Sequence, residues 1–437
     1  MKKGIWRLCL VLVCMVLLGT FAGCSVSVNG FRRTSYTSRQ KVLLMDPDDF
    51  LFKRDQNAYL DAEQVYLTHR VGGATLSMDV WIPKDVFESI GTEQMMHAPV
   101  VMCVSTQDCL TDEDEKNGYV DSVWEGQKAR LLQQGIVCIM VHVADSQSTE
   151  DLIDLKAAVR SVRFNSDTMP FDVDHIFLYG RRYGGQIAEY CGMSQDDDSY
   201  LEDLSDSGAA LYTSDGDELS DAVFGVAVYL PNAPQVIAEE GYAWLYGQYL
   251  NPDDKDTRQK AQDYMSFVAD AGLYDLEGNA LTLESVSSGG IGTHGTYYDA
   301  VKSAFSVMQS NQQAAGLQTA DPISSLSQLP ELYPLSAETS EDTFSIKSTP
   351  ELSGSCAQYW YLIGACDTPE MSSLETINTE GRLLRPDDDK NKPLPTVDRE
   401  LLFDHSLYDN ADFGDTLAAW IYTVMDTAEA ADVSRQD

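Results

Sequence analysis

Five short runs in this chain are apolar at nearly every position: "APVVMCVS" at 98–105, "GIVCIMVHV" at 135–143, "HIFLYG" at 175–180, "AVFGVAVYLPN" at 222–232 and "YWYLIGACD" at 359–367. A strand with no polar face has no side to turn to water, so it must be covered on both sides. Helical patterns lie between the runs. One is expected over 120–134, and "EDLIDLKAAVRSVRF" repeats Leu152, Leu155, Ala158, Val159 and Val162 along one face. Doubly covered strands alternating with amphipathic helices specify an α/β fold, with a mostly parallel central sheet and helices on both faces. Two earlier segments, "QVYLTHRV" and "TLSMDVWIP", read as strands, and the alternation of the second suits an edge hairpin. "DTLAAWIYTVMDTA" supplies a last helix.

Between 196 and about 350 the composition changes. "SQDDDSYLEDLSDSG" and "YTSDGDELSD" are acidic and loop-like, "SVSSGGIGTHGTYYDA" is rich in glycine and serine, and helices are expected at 235–249, 257–271 and 297–316. The expected organisation is a core over 46–194, an inserted helical and loop lid over 195–350 that carries one core strand near 222–232, and the rest of the core over 351–430, with a tail at 431–437. There is no internal repeat.

The chain opens with Lys2, Lys3 and Arg7, the apolar run "LCLVLVCMVLLGTF", and Ala22-Gly23-Cys24. That order is the order of a secretory signal, and the run is short for a spanning helix. The cysteine after Ala-Gly resembles a bacterial lipoprotein box, with Phe21 where Leu is usual. Residues 1–23 are therefore expected to be a signal peptide, Cys24 the lipidated N-terminus, and 24–45 a polar stalk. The location implied is extracytoplasmic, with the membrane touched only through the lipid anchor.

The formal net charge is −39, and it becomes more negative once Lys2, Lys3 and Arg7 leave with the signal. Such a surface repels nucleic acid and anionic headgroups. Cys103, Cys109, Cys138, Cys191, Cys356 and Cys366 remain, with no zinc-ligand spacing among them, and are expected to be buried apolar residues. "DEDEKN" and "SQDDDS" lack the spacing of a calcium loop, so no metal and no cofactor is expected.

Chemistry in an open α/β sheet sits at the carboxyl ends of the strands. After "HIFLY" comes "GRRYGG", with Gly180 and Gly184 at the outer positions of the nucleophile-elbow pattern G-x-S-x-G and Gly185 following. The central position holds Arg182. A guanidinium stays protonated, cannot attack a carbonyl and cannot be activated by a base.

The stretch "DLKAAVRSVRFNSDTMPFDVDHIFLYGRRYGGQIAEYCGM" resembles the elbow region of subtype-B tannases and bacterial feruloyl esterase-like α/β-hydrolases, where a helix ending in R-x-N leads to a strand and then G-x-S-A-G-G. "SDAVFGVAVYLPNAPQVIAEEGYAWLY" is similar to that family's next strand, proline and Tyr-x-Trp helix; "VWIP" and "DHSLYDNADFGDTLAAWI" add further echoes, and the likeness runs over about 65–425. It implies an α/β-hydrolase fold, a catalytic acid at Asp367 and a base at His405, in the family's chain order. Asp367-Thr368-Pro369-Glu370 also reads as a helix start, and His405 as a loop cap.

Two parts of that machine are altered. Arg182 stands where the nucleophile belongs. The oxyanion hole needs the N–H of the next residue, Tyr183, and a donor from the loop after 98–105. That loop reads "STQDCLTDEDEKN", with Asp112, Glu113, Asp114 and Glu115 in place of glycines. Carboxylates are poor neighbours for a developing oxyanion.

Arg182 then has two roles open to it: a structural ion pair with Asp367 or a lid carboxylate, or a binding fork for an anionic ligand, with Tyr183, Tyr242 and Trp244 as aromatic walls or as ordinary core. The leading expectation is a catalytically degenerate surface lipoprotein that binds a small molecule (an aromatic acid or ester, or a sugar) or a protein partner. An ester hydrolase using an unconventional nucleophile and a structural or adhesive protein are the alternatives.

Overall fold

The computed structural model describes residues 27–28, 31–32, 44–67, 75–110, 121–286, 290–314, 323–332, 355–368, 370–386 and 393–436. The signal peptide, Cys24 and the acidic run from Asp112 to Glu115 lie outside them. Among the described residues no helix is long and apolar enough to cross a membrane.

Nine strands form one sheet: β1 (Leu51–Lys53), β2 (Ala58–Leu67), β3 (Leu76–Pro83), β4 (Ala98–Ser105), β5 (Val137–His142), β6 (Phe171–Arg181), β7 (Gly225–Tyr229), β8 (Tyr359–Ala365) and β9 (Thr396–Leu402). Their order across the sheet is β9-β8-β7-β6-β4-β5-β3-β2-β1. β4 to β9 pair in parallel, while β1 to β3 form an antiparallel meander joined to β5. The all-apolar runs became the central parallel strands, and "TLSMDVWIP" became part of the meander.

The two faces are separated by the strand period of two. Val100, Met102 and Val104 of β4 pack with Leu152, Leu155 and Val159 of α2 (Thr149–Phe164) and with Ile187 of α3 (Arg182–Met193). Val101 and Cys103 face the other way, onto Trp124 and Leu131 of α1 (Ser122–Gln133) and Leu417 and Ile421 of α8 (Phe413–Gln436). Asp121 caps α1 by accepting from Trp124 N at 3.0 Å, and Ser148 caps α2.

The segment expected to be a lid divides in two. Leu204, Ala209, Ala210 and Leu219 belong to the main core, and buried Asp221 accepts from Lys156 Nζ at 2.9 Å and from Arg160 Nη2 at 2.7 Å. These five residues thus pack on the main core rather than over the carboxyl edge. The helical layer begins after β7, with α4 (Gln235–Tyr242), α5 (Lys255–Asp270) and α6 (Thr296–Ala314). Its interior holds Trp244, Leu245, Tyr264, Tyr297 and Phe305, and continues into Leu374 and Ile377 of α7 (Ser372–Leu383).

α8 runs to Gln436, into the segment expected as a tail. Among the described residues Cys103, Cys109, Cys138, Cys191 and Cys366 are buried thiols, and Cys356 is half-buried.

β5 and β6 flank β4, so the connections leaving the sheet part in opposite directions there. That is where an open α/β sheet forms a crevice at its carboxyl edge, and the turn at Gly180–Gly185 lies on it.

Candidate functional site

β6 ends at Arg181 and α3 begins at Arg182, with no residue between them. Arg182 has φ +51°, left-handed backbone that a side-chain-bearing residue adopts only under constraint. The constraint is close packing. A Cβ on Gly180 would lie 2.2 Å from the Gly184 carbonyl oxygen, and one on Gly184 would lie 2.7 Å from that of Val104. The elbow is therefore locked backbone to backbone against the end of β4. Arg182 is half-buried, and its carbonyl accepts from Asn232 N at 3.3 Å. Among the described residues its guanidinium makes no ion pair, with Asp367 or with any other carboxylate. Its charge is felt instead by Asp108.

Asp108 lies on a single turn of 3-10 helix, Gln107–Cys109, that follows β4. Its Oδ2 accepts from the backbone N–H of Tyr183 at 2.9 Å and from Asn232 Nδ2 at 3.1 Å. Its Oδ1 accepts from the Thr106 hydroxyl at 2.7 Å. The Tyr183 N–H is the donor that an elbow aims at a developing oxyanion. Here it already holds a carboxylate. Burial raises the Asp108 carboxyl above its usual range, against the pull of these bonds and of Arg182. Behind it, Gln107 N donates to Asp145 Oδ2 at 2.7 Å. Burial, and then the charges of Asp108 and Asp151, push Asp145 up to about 6 despite that bond.

The carboxylates expected to face the elbow, Asp112 to Glu115, lie outside the described residues, and the one that meets it is Asp108. The signal was available in the spacing: Asp108 stands three residues past β4, whose end packs on the elbow, and Thr106-x-Asp108 is a compact turn.

Asp367 is exposed, two residues beyond β8, and His405 opens a short 3-10 turn, His405–Tyr408, after β9. Elbow, Asp367 and His405 thus follow the carboxyl ends of β6, β8 and β9, on one edge of the sheet; the His405 side chain lies outside the described residues. α7 starts at Ser372, with Met371 as its left-handed cap, so the helix expected to start at Thr368-Pro369 begins later. Thr368 still serves it, with its hydroxyl 2.7 Å from that of Ser372.

Arg181, which the sequence reading did not single out, is buried. Its Nη1 donates to both carboxylate oxygens of Asp121 at 2.9 Å, and its Nη2 reaches Asp409 Oδ1 at 3.3 Å. The first arginine of "GRRYGG" thus ties the loop after His405 to the cap of α1. The aromatic candidates are mostly core. The Tyr183 hydroxyl donates to Asp151 at 2.6 Å under the sheet, and Trp244, 1% exposed, donates to the Gly292 carbonyl within the helical layer. Tyr242 is half-buried and stacks on Tyr246. Among the described residues no cluster of His, Cys, Asp and Glu could hold a metal.

No protein-family model and no curated protein matches the chain. Solved structures do. The native tannin acyl hydrolase from Lactobacillus plantarum superposes with a TM-score of 0.65 at 18% identity, over 89% of this chain and 99% of that one. A tannin acyl hydrolase in complex with ethyl gallate gives 0.63 at 18%, over the same shares. Fusobacterium nucleatum tannase gives 0.60 at 16%, over 87% and 99%. At such identity the likeness is one of architecture, and with the strand order above it establishes the α/β-hydrolase fold, of the form that tannases share.

Proposed function

We propose that this chain is a lipid-anchored, extracytoplasmic protein on an ester-hydrolase scaffold that does not hydrolyse esters and instead binds a ligand or partner at the elbow edge. One observation carries the reading: the N–H of Tyr183 is bonded to the Asp108 carboxylate, beside Arg182 at the left-handed tip of the turn. Loss of a triad nucleophile alone costs on the order of a millionfold in rate. The usual residue of activity depends on the oxyanion hole, and here an anion fills it. Relatives in fold have been crystallised with ethyl gallate and with 3,4-dihydroxybenzoate. Aromatic acids and their esters are accordingly the first ligands to test, and Arg182 is the fork that would hold an acid group.

The test is turnover of short acyl esters, ethyl gallate and a ferulate ester by purified protein. We expect no rate above that of the His405→Ala variant. Turnover that depends on His405 and Asp367 would sink the reading and restore the hydrolase alternative. Labelling with a radiolabelled fatty acid, lost in Cys24→Ser, checks the anchor.

A further inference from the structure

The groups around Asp108 form a site that already has an occupant. Three donors of different origin converge on one carboxylate: a backbone N–H from α3, a side-chain amide from the loop after β7, and a hydroxyl from the end of β4. None of the three is free to wander. The Tyr183 N–H is fixed by the locked elbow. Asn232 is 3% exposed, and its own backbone N–H donates to the Arg182 carbonyl. Thr106 is likewise buried. Preorganised donors cost little to engage when an anion arrives. Arg182 is half-buried, without an ion pair among the described residues, and its charge reaches the same carboxylate.

We propose that the Tyr183 N–H, the Asn232 amide and the Thr106 hydroxyl, with Arg182 beside them, are a carboxylate-binding seat that the chain's own Asp108 keeps closed. An external ligand bearing a carboxylate binds there by displacing Asp108, and Arg182 compensates the second negative charge during the exchange. Asp108 is then an internal competitor, and it sets the affinity of the edge for acids. The proposal rests on the binding role given to Arg182 above, and it names the ligand's chemistry.

Acetate is the free form of the aspartate side chain, which makes it the natural probe. The Asp108→Gly variant is titrated with sodium acetate against sodium chloride at constant ionic strength, and thermal unfolding is followed. The melting temperature of the variant is expected to rise and saturate with acetate, while the wild type, in which acetate must first displace Asp108, responds only at much higher concentration. Adding Arg182→Ala to Asp108→Gly is expected to weaken acetate by about tenfold, the worth of one charged contact. Equal responses in wild type and variant, or none in a folded Asp108→Gly protein, overturn the seat. If Asp108→Gly does not fold in chloride, the same titration is run on Asp108→Ser, and a flat response there overturns it as well. Ester turnover by the wild type would refute the non-hydrolytic reading, whereas these titrations decide the seat alone.

Discussion

Arg181 and Asp121, sixty residues apart, meet beneath the elbow with one guanidinium nitrogen 2.9 Å from each carboxylate oxygen, and both side chains are 5% exposed. Removing one member of such a pair strands the other in a place that water does not reach. Arg181→Met is therefore expected to lower unfolding stability by about 3–5 kcal/mol in urea titrations. Arg181→Met with Asp121→Ser, which leaves α1 a capping hydroxyl, should recover much of that loss. A double variant no better than the single one would mean that the pair is not what holds this region.

The glycines of the elbow are kept for space. Gly180→Ala places its Cβ 2.2 Å from a backbone oxygen, which no side-chain adjustment relieves. A loss of at least about 1–3 kcal/mol is expected, as for an overpacked core. Gly91, with φ +75° and open space within 4 Å of where an added methyl would sit, serves as the control. Gly91→Ala should cost only about 1 kcal/mol, the penalty of its backbone conformation alone.

A serine at position 182 should not by itself produce an ester hydrolase. Arg182→Ser leaves Asp108 on the Tyr183 N–H, and we expect ester turnover indistinguishable from background. Arg182→Ser with Asp108→Gly clears that donor and should exceed the single variant by roughly 10²-fold, about the worth of one oxyanion contact. Initial rates on a short acyl ester decide it, and equal rates for the two would show that Asp108 is not the obstacle.

Stability should fall as pH rises. Between α3 and α7 the Thr379 hydroxyl donates to Glu189 at 2.5 Å, and Arg382 reaches Glu375 at 2.9 Å, with both carboxylates fully buried. Burial, and then Glu375, push the Glu189 carboxyl well above its ordinary range; Asp145 and Asp61 are each raised to about 6, chiefly by burial. A carboxyl raised in the folded state holds its proton more tightly there than when unfolded. Its contribution is complete below the unfolded value, near 4, and is lost as pH climbs through the folded one. Asp221 is lowered by Lys156 and Arg160 against its burial, so its contribution is lost only as the solution turns strongly acidic. Melting temperatures should decline from pH 5 to pH 8, and Asp145→Asn should flatten the slope between about 4 and 6. A flat profile in the wild type would contradict the assignment.

The sheet was readable from the sequence because its central strands are apolar on both faces and its helices are striped. β9 was not, since an edge strand bearing Asp398, Arg399 and Glu400 carries no such mark. The first part of the expected insertion over 195–350 gave no sign of its core contacts for a related reason. Its acidic surface reads as loop, while what fixes it to the core is a few scattered apolar residues and one carboxylate, Asp221, meeting two cations on α2 far away in the chain. At the site, the arginine at the tip of the glycine-framed turn was legible, because a motif position is a local property. That Asp108 caps the Tyr183 N–H depends on how β4 and β6 lie side by side, and seventy-five residues of chain separate the two groups.

The apolar interior of the helical layer has no boundary of its own. Trp244, Tyr264 and Phe305 share a continuous packing with Cys366, Leu374, Ile377 and Leu401, which belong to the strands and helix around Asp367. A layer joined to its base in this way is a fixed wall and not a door, for swinging it aside would lay those residues open to water. Binding at the elbow therefore has to proceed with this layer in place.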